Sequence, residues 1–255
     1  MKYPDNAENY NSLCDVFYTN ARVGSHMRSP HDRSTLVSFY ERMQKFAPNM
    51  LMFNQDAREG DCTMKEDPDA GSYRWITVGP NALSCGWVSP VTPDEGHSFG
   101  ATVLETAPYY LSISPVDMEY LEVLWGFDFR CKLNHHEIIA EALLAEGALG
   151  GLMDIPDAKA VHFGFSLAVG LSPDVRTQFR ILVQPRTFSS QVKSGQYGNE
   201  PLSVMAIMRQ WSGGKKHASL HDLHQQLVQQ AAPLVEERLV KPIVTPIREA
   251  IARHR

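Results

Sequence analysis

The sequence of 255 residues lacks the features that mark several large protein classes. It contains no run of eighteen apolar residues, which a membrane-spanning helix requires. Its polar start, MKYPDNAENYNS, has no apolar segment of the secretory kind. Its four cysteines lie far apart, with neither a CxxC pair nor a zinc-binding spacing. We therefore expect a cytoplasmic protein with reduced thiols and no membrane partner.

Motifs that bind common cofactors are missing as well. There is no Walker A sequence and no GxGxxG fingerprint for a nucleotide. Residues 54–72 carry six carboxylates against two basic residues, but their order does not match a calcium-binding EF-hand loop. Such a composition is typical of a solvated loop. We expect no cofactor.

Two groups of histidines resemble metal ligands only at first sight. His135 and His136 precede Glu137, but Ala140 stands where an HExxH motif would have its second histidine. Adjacent helical residues point about 100° apart, so this pair is interpreted as polar residues of a first helical turn. The second group has the spacing i, i+4 and i+7 and consists of His217, His221 and His224. It predicts a polar stripe on a helix surface, with a divalent metal site as the alternative.

The charge of the chain is moderate and unevenly distributed. A formal net charge of −5 and a pI near 6.0 argue against general nucleic-acid binding, which needs a basic footprint. From Arg209 to Arg255, however, eight Lys and Arg oppose four Asp and Glu, so this end carries +4 and the remainder −9. The basic end suits an acidic partner, although a solvated helix surface is the simpler explanation.

The best-patterned stretch runs from residue 121 to residue 154. Residues 121–130 alternate, with Leu, Val, Trp, Phe and Phe on one face, which is typical of a half-buried antiparallel strand. Asn134 followed by Glu137 resembles a capping box and predicts a helix over 134–152. This strand, corner and helix form the centre of the predicted fold.

The order strand, helix, strand, strand occurs twice along the chain. The first set covers 13–23, 29–46, 73–78 and 82–88, and the second covers 121–130, 134–152, 159–171 and 177–183. Two of the predicted strands also end in similar sequences, Gly86-Trp87-Val88-Ser89-Pro90 and Gly170-Leu171-Ser172-Pro173. These echoes predict an internal duplication, with chance recurrence of short patterns as the alternative.

Strands outnumber helices in this interpretation, and the connections are short. Further short strands are predicted at 101–104, 109–113 and 202–211, with a loop at 189–200. The pattern predicts an α+β protein with an antiparallel or mixed sheet and helices on one face. The expected divisions are a first repeat over 1–115, a second over 116–212 and C-terminal helices over 213–255 packed on the sheet, or all of these as one domain. Ser219 caps the main C-terminal helix, which Pro233 is expected to interrupt.

One catalytic motif is present, at Gly96-His97-Ser98-Phe99-Gly100. This GxSxG sequence resembles the nucleophile elbow of the α/β-hydrolase family, where the serine lies on a sharp turn between a strand and a helix. The resemblance implies a catalytic Ser98, with Asp174 and His217 following in the family's order. Two prolines and two acids precede the motif, however, where the family has a buried apolar strand. A simple turn is therefore the favoured interpretation, with a catalytic Ser98 as the alternative.

The absence of a coherent catalytic set favours a binding protein rather than an enzyme. We expect it to contact a small ligand or a protein partner, and not nucleic acid. A serine hydrolase using Ser98, Asp174 and His217 is the first alternative. The second is a subunit of a larger assembly, formed by self-association or by docking of the basic C-terminal helices.

Overall fold

The structure, a computed structural model, describes residues 9–26, 32–56, 60–145, 147, 149–213 and 219–254. In these residues nine strands form one sheet in the order β2-β3-β4-β5-β1-β6-β9-β8-β7, and every neighbouring pair is antiparallel. The strands are β1 Val16–Ser25, β2 Met52–Gln55, β3 Cys62–Lys65, β4 Tyr73–Val78, β5 Ala82–Val88, β6 Met118–Arg130, β7 Phe165–Gly170, β8 Thr177–Gln184 and β9 Pro201–Trp211.

Helices pack on one face of this sheet. They are α1 Arg33–Phe46, α2 Pro93–Leu111, α3 His135–Leu144, α4 Ser189–Ser194, α5 Leu220–Val235 and α6 Thr245–Arg253. Helix α2 packs on β1 and β5, helix α5 packs on β6 and β9, and the two helices contact each other. The predicted α+β class, with an antiparallel sheet and helices on one face, is confirmed. Helix α5 does not stop at Pro233 but continues through a π-helical segment, Glu236–Val244, into α6.

The alternation predicted for the central strand is confirmed by its burial. In β6 the odd-numbered residues from Leu121 to Phe129 point to the helices and are almost completely buried. Phe127 contacts Phe17 of the neighbouring strand, with ring centroids 5.2 Å apart. Because β1 and β6 are the middle strands, these aromatic side chains form the centre of the core.

The two predicted repeats contribute strands to one continuous sheet. Strands β1 and β6 pair with each other, and each has the later strands of its own repeat on its outer side. Strand β5 precedes helix α2, and β9 precedes helix α5, so β9 occupies the place that corresponds to β5. The matched endings 86–90 and 170–173 do not fit this order, because they follow β5 and the edge strand β7. The duplication itself stays a prediction.

The largest difference from the sequence prediction is helix α2. Strands were expected at 101–104 and 109–113, but 101–104 and 109–111 lie inside the helix, and residues 112–113 follow its end. Its start is set by Thr92, whose side chain accepts a hydrogen bond from the Glu95 N–H at 3.2 Å, and by proline at the first helical position. Its buried side chains recur at helical spacing and include Phe99, Val103, Leu104, Ala107 and Leu111.

Smaller differences lie in the connections. The expected acidic loop at 54–72 contains strand β3, in which buried Cys62 and Met64 alternate with half-buried residues. The strand expected at 159–171 is shortened to β7, and helix α4 lies within the expected loop at 189–200. The predicted start of the first helix at Ser29 lies outside the described residues. Its N-cap is Asp32, which accepts a hydrogen bond from the Thr35 N–H at 2.7 Å.

Candidate functional site

The GxSxG motif lies in the second turn of helix α2 and not on a turn between a strand and a helix. The Ser98 side chain is exposed, and among the described residues it makes no hydrogen bond to a histidine. The resemblance to a nucleophile elbow therefore does not extend to the backbone, and the favoured prediction of a simple turn is also wrong because the segment is helical.

The two glycines of the motif have a packing role instead. They lie one helical turn apart on the side of α2 that faces the sheet. A Cβ atom at Gly96 would overlap the Thr19 hydroxyl of β1, and one at Gly100 would lie 3.1 Å from His224 Nε2 and 3.3 Å from Ala21 Cβ. Both glycines thus let α2 lie close to strand β1 and helix α5.

The other two residues of the hydrolase alternative do not join Ser98. Asp174 lies in the exposed connection between β7 and β8, where it accepts a hydrogen bond from the Ser172 hydroxyl at 2.6 Å. Helix α2 rests on β1, and strands β6 and β9 separate β1 from β8. At about 4.8 Å per strand, this separates the two regions by roughly 14 Å. His217 lies outside the described residues.

His135 and His136 are the first two residues of α3, as predicted for polar residues of a first helical turn, and their side chains are buried. His135 Nδ1 accepts a hydrogen bond from the Arg186 N–H at 3.0 Å, and its Nε2 lies 3.3 Å from the Cys131 carbonyl. His136 Nδ1 accepts from the Phe163 N–H at 2.9 Å, and its Nε2 lies 3.0 Å from the Thr187 carbonyl. Each neutral ring therefore joins the start of α3 to backbone groups of other segments. In the described part of the chain, no three His, Cys, Asp or Glu side chains are grouped to hold a metal ion.

A second buried pair lies under helices α2 and α5. His224 was expected on a polar stripe, but it lies on the inner side of α5 and is 1% exposed, while His97 is 4% exposed. The two rings are 6.0 Å apart, and His97 lies 4.2 Å from the Trp125 ring. Both nitrogens of His224 and Nε2 of His97 are buried without a hydrogen-bond partner. Burial and the neighbouring His221 lower the pKa of His224 to about 3, and burial and His224 lower the pKa of His97 well below its usual value.

The second face of the sheet carries no helix among the described residues, and we call it the open face. Its members are the residues whose side chains alternate with the buried ones. Its aromatic members are Tyr18, Tyr73, Trp75, Tyr120 and Trp211. Its charged members are Arg22, Lys65, Arg130, Arg180 and Arg209, against Glu122 and Asp128. Five basic and two acidic side chains give this face a positive charge on a chain whose net charge is −5.

Apolar side chains form the centre of the open face. Leu124 of β6, Ile207 of β9 and Arg180 of β8 lie side by side in one row of the sheet. The adjacent row contains Met205 and Leu182. Ile207 is 9% exposed although no helix covers it, because the neighbouring side chains surround it. The face therefore combines an apolar centre with arginines beside it.

Arg209 is held in a rigid arrangement at one end of the face. Its Nε donates a hydrogen bond to Glu122 Oε2 at 2.8 Å, and its guanidinium forms an ion pair with the same carboxylate. The guanidinium carbon lies 4.6 Å from the Tyr120 ring centroid and 4.9 Å from that of Trp211. These contacts hold a planar cation beside two aromatic rings that touch each other.

Several polar atoms of the open face have no partner in the described structure. Asn20 Oδ1, Asp128 Oδ1 and Arg180 Nε are buried without a hydrogen bond. Burial raises the pKa of Asp128, an effect opposed by a hydrogen bond from Ser203. Burial, followed by the nearby Asp128 carboxylate, also raises the pKa of Tyr18. These groups are desolvated in the middle of a face that no helix covers.

A recess of about 890 Å³ lies where the open face meets the β4–β5 turn. Arg22 and Tyr120 line it from the central strands, and Thr77 and Ser84 line it from β4 and β5. Arg22 is exposed and takes part in no ion pair among the described residues. The recess extends the open face and gives it one concave region.

Comparisons with known proteins give no family. No protein-family model matches the chain, and no curated protein is significantly similar to it. In the described part of the chain, every helix is too short or too polar to cross a lipid bilayer.

Proposed function

We propose that this chain is a binding protein that docks an acidic protein partner on the open face of its sheet. The observation that carries the proposal is the composition of this face. Trp, Tyr, Arg and Met are the residues that protein interfaces favour, and Trp, Tyr and Arg supply most interface hot spots. The open face brings together five aromatic residues, four arginines and Met205 around an apolar centre.

Charge selects the partner. This surface carries five basic and two acidic side chains, whereas the chain as a whole has a net negative charge. Opposite charge on the partner would speed association and suppress wrong partners. We therefore expect the partner surface to carry carboxylates around exposed apolar side chains.

The desolvated polar atoms of the face carry an energetic cost in the folded chain. A buried donor or acceptor without a partner costs about 1–3 kcal/mol. Arg180 Nε is such a donor, and Asn20 Oδ1 is such an acceptor. The cytoplasmic location stays a prediction from the spacing of the cysteines.

Selection from a displayed library of random peptides tests the proposal. Binders should be rich in Asp, Glu and apolar residues. Leu124→Glu and Arg180→Glu should each weaken binding at least tenfold, because they place negative charge at the centre of the open face. Matched changes on the helix side, Tyr109→Glu and Arg248→Glu, should leave binding unchanged. Selected peptides that are basic, or that still bind both open-face variants, would overturn the proposal.

A further inference from the structure

Strand β7 forms one edge of the sheet, and among the described residues nothing protects it in the usual way of an edge strand: its side chains are mostly exposed. Its sequence, FSLAVG, contains no charged residue and no proline, and its pairing with β8 shows no bulge. Natural proteins usually protect such edges with lysine, proline, bulges or a covering segment. On the helix side of the strand, Leu167 is 49% and Val169 is 41% exposed.

Exposed apolar side chains are frequent in the part of the chain that contains this strand. Among the described residues, eighteen large apolar side chains are exposed, and half of them fall between residues 149 and 175. They are Leu149, Leu152, Met153, Ile155, Val161, Leu167, Val169, Leu171 and Val175. Leu167 and Val169 lie on the same face of β7, and exposed apolar surface of this kind often marks an interaction site.

The hydrogen-bonding directions of β7 follow from one bond. The Leu171 N–H donates to the Thr177 carbonyl at 2.7 Å, and the same register pairs residues 169, 167 and 165 with β8. In an antiparallel pair the backbone groups of alternate residues point to opposite sides. The N–H and C=O groups of Ser166, Ala168 and Gly170 therefore point away from the sheet.

We propose that a second copy of this chain pairs with β7 across a twofold axis at Ala168. In that register Ala168 lies opposite its own copy, and Ser166 lies opposite Gly170 of the other chain. All outward N–H and C=O groups of the three residues are then paired. Leu167 of one chain lies opposite Val169 of the other, at a close non-hydrogen-bonded position.

A second copy fits this edge because the strand is complementary to itself. The arrangement of its side chains is symmetrical about Ala168, with apolar residues at 167 and 169 and small residues at 166 and 170. The pairing brings no like charges of the strand together. A twofold contact of this kind is isologous and closes at two chains. Pairing of β7 with the opposite edge strand β2 would instead be heterologous and would build open chains.

Cysteine cross-linking of the full chain tests the register. Across a hydrogen-bonded antiparallel pair the Cα atoms are about 5.5 Å apart, which a disulfide can span. Ala168→Cys should therefore form a disulfide-linked dimer under mild oxidation. Ser166→Cys is the matched control and should not, because its opposite residue is Gly170. Equal linking by both variants, or by neither, would overturn the proposed register.

The mass in solution tests the dimer itself. Light scattering after size exclusion should give about twice the chain mass of 28.6 kDa. Ala168→Pro removes an outward N–H but no bond to β8, so it should give the single-chain mass while the circular dichroism spectrum stays that of the wild type. Val169→Lys should also give single chains, because it places charge opposite Leu167. Three results would refute the proposal. They are a wild-type monomer at every concentration, a dimer that persists in both variants, and longer oligomers that disappear in Phe53→Lys.

Discussion

The ring of Tyr18 lies flat across Gly126, its direct partner on the neighbouring strand. The same relationship occurs in reverse at the other end of the two strands, where the Tyr120 ring covers Gly24. In both places an aromatic ring fills the space that a side chain would occupy. The paired glycines therefore determine how the aromatic rings lie on the open face.

Gly126→Ala should destabilise the protein by about 1–3 kcal/mol, the usual cost of inserting a methyl group into a packed site. The added Cβ would overlap the Tyr18 ring and force it away from the strand. Urea denaturation measures the free energy of unfolding. Gly164→Ala is the control, since no heavy atom lies within 4 Å of the added methyl group. Equal effects of the two changes would contradict the packing role of Gly126.

The GxSxG motif should depend on its glycines and not on its serine. Gly96→Ala should cost about 1–3 kcal/mol because the methyl group would overlap Thr19, and Thr19→Ala should recover part of the loss. Ser98→Ala should change stability by no more than about 0.5 kcal/mol, since the side chain is exposed. Thermal and chemical unfolding provide these values.

A fluorophosphonate probe examines the hydrolase alternative directly. We expect no labelling, because Ser98 lies on a helix without a histidine hydrogen bond in the described structure. Labelling of the wild type that Ser98→Ala abolishes would show that the serine is a nucleophile and would contradict our expectation.

Sequence patterns correctly predicted those strands and helix caps that are encoded by the spacing of residues close together in the sequence. The strand around Trp125 and the Ser219 cap, whose hydroxyl accepts a hydrogen bond from the Asp222 N–H at 2.9 Å, are examples. Helix α2 was missed because residues 101–104 and 109–113 were predicted as short strands. Pro93 lies at the first helical position, where proline is favoured.

The open face could not be predicted in the same way. The contact of Tyr18 with Gly126 joins residues more than a hundred positions apart, and it depends on the register between β1 and β6. The burial of His224 likewise depends on how α5 packs against α2. No local spacing encodes either relationship.

The buried histidines should make the protein sensitive to acid. Above a pH of about 6.5 the imidazoles of His97 and His224 are neutral in both the folded and the unfolded state, so they add no pH dependence to the stability. Below it the unfolded chain binds protons that the folded protein cannot, so stability should fall by about 1.4 kcal/mol per pH unit for each histidine. For His224 the loss continues until the pH reaches its folded-state pKa, about 3.

Replacing a buried histidine should reduce this slope. Denaturant melts from pH 7 to pH 4 should show a smaller loss of stability for His224→Leu than for the wild type. His162→Gln is the control, because His162 is exposed. An unchanged slope in His224→Leu would mean that the ring is solvated or protonated in the folded protein.

Arg209 should tolerate replacement poorly even by lysine. Its guanidinium pairs with Glu122 and contacts the rings of Tyr120 and Trp211, and the side chains of the ion pair are only 16% and 13% exposed. Lysine keeps the charge but can neither form the planar pair nor stack, so Arg209→Lys should cost about 1–2 kcal/mol. Arg253→Lys, at an ion pair whose arginine is 55% exposed, should cost less than about 0.5 kcal/mol. If both replacements prove equally mild in denaturant melts, charge alone holds Arg209, and the aromatic contacts contribute little to this end of the open face.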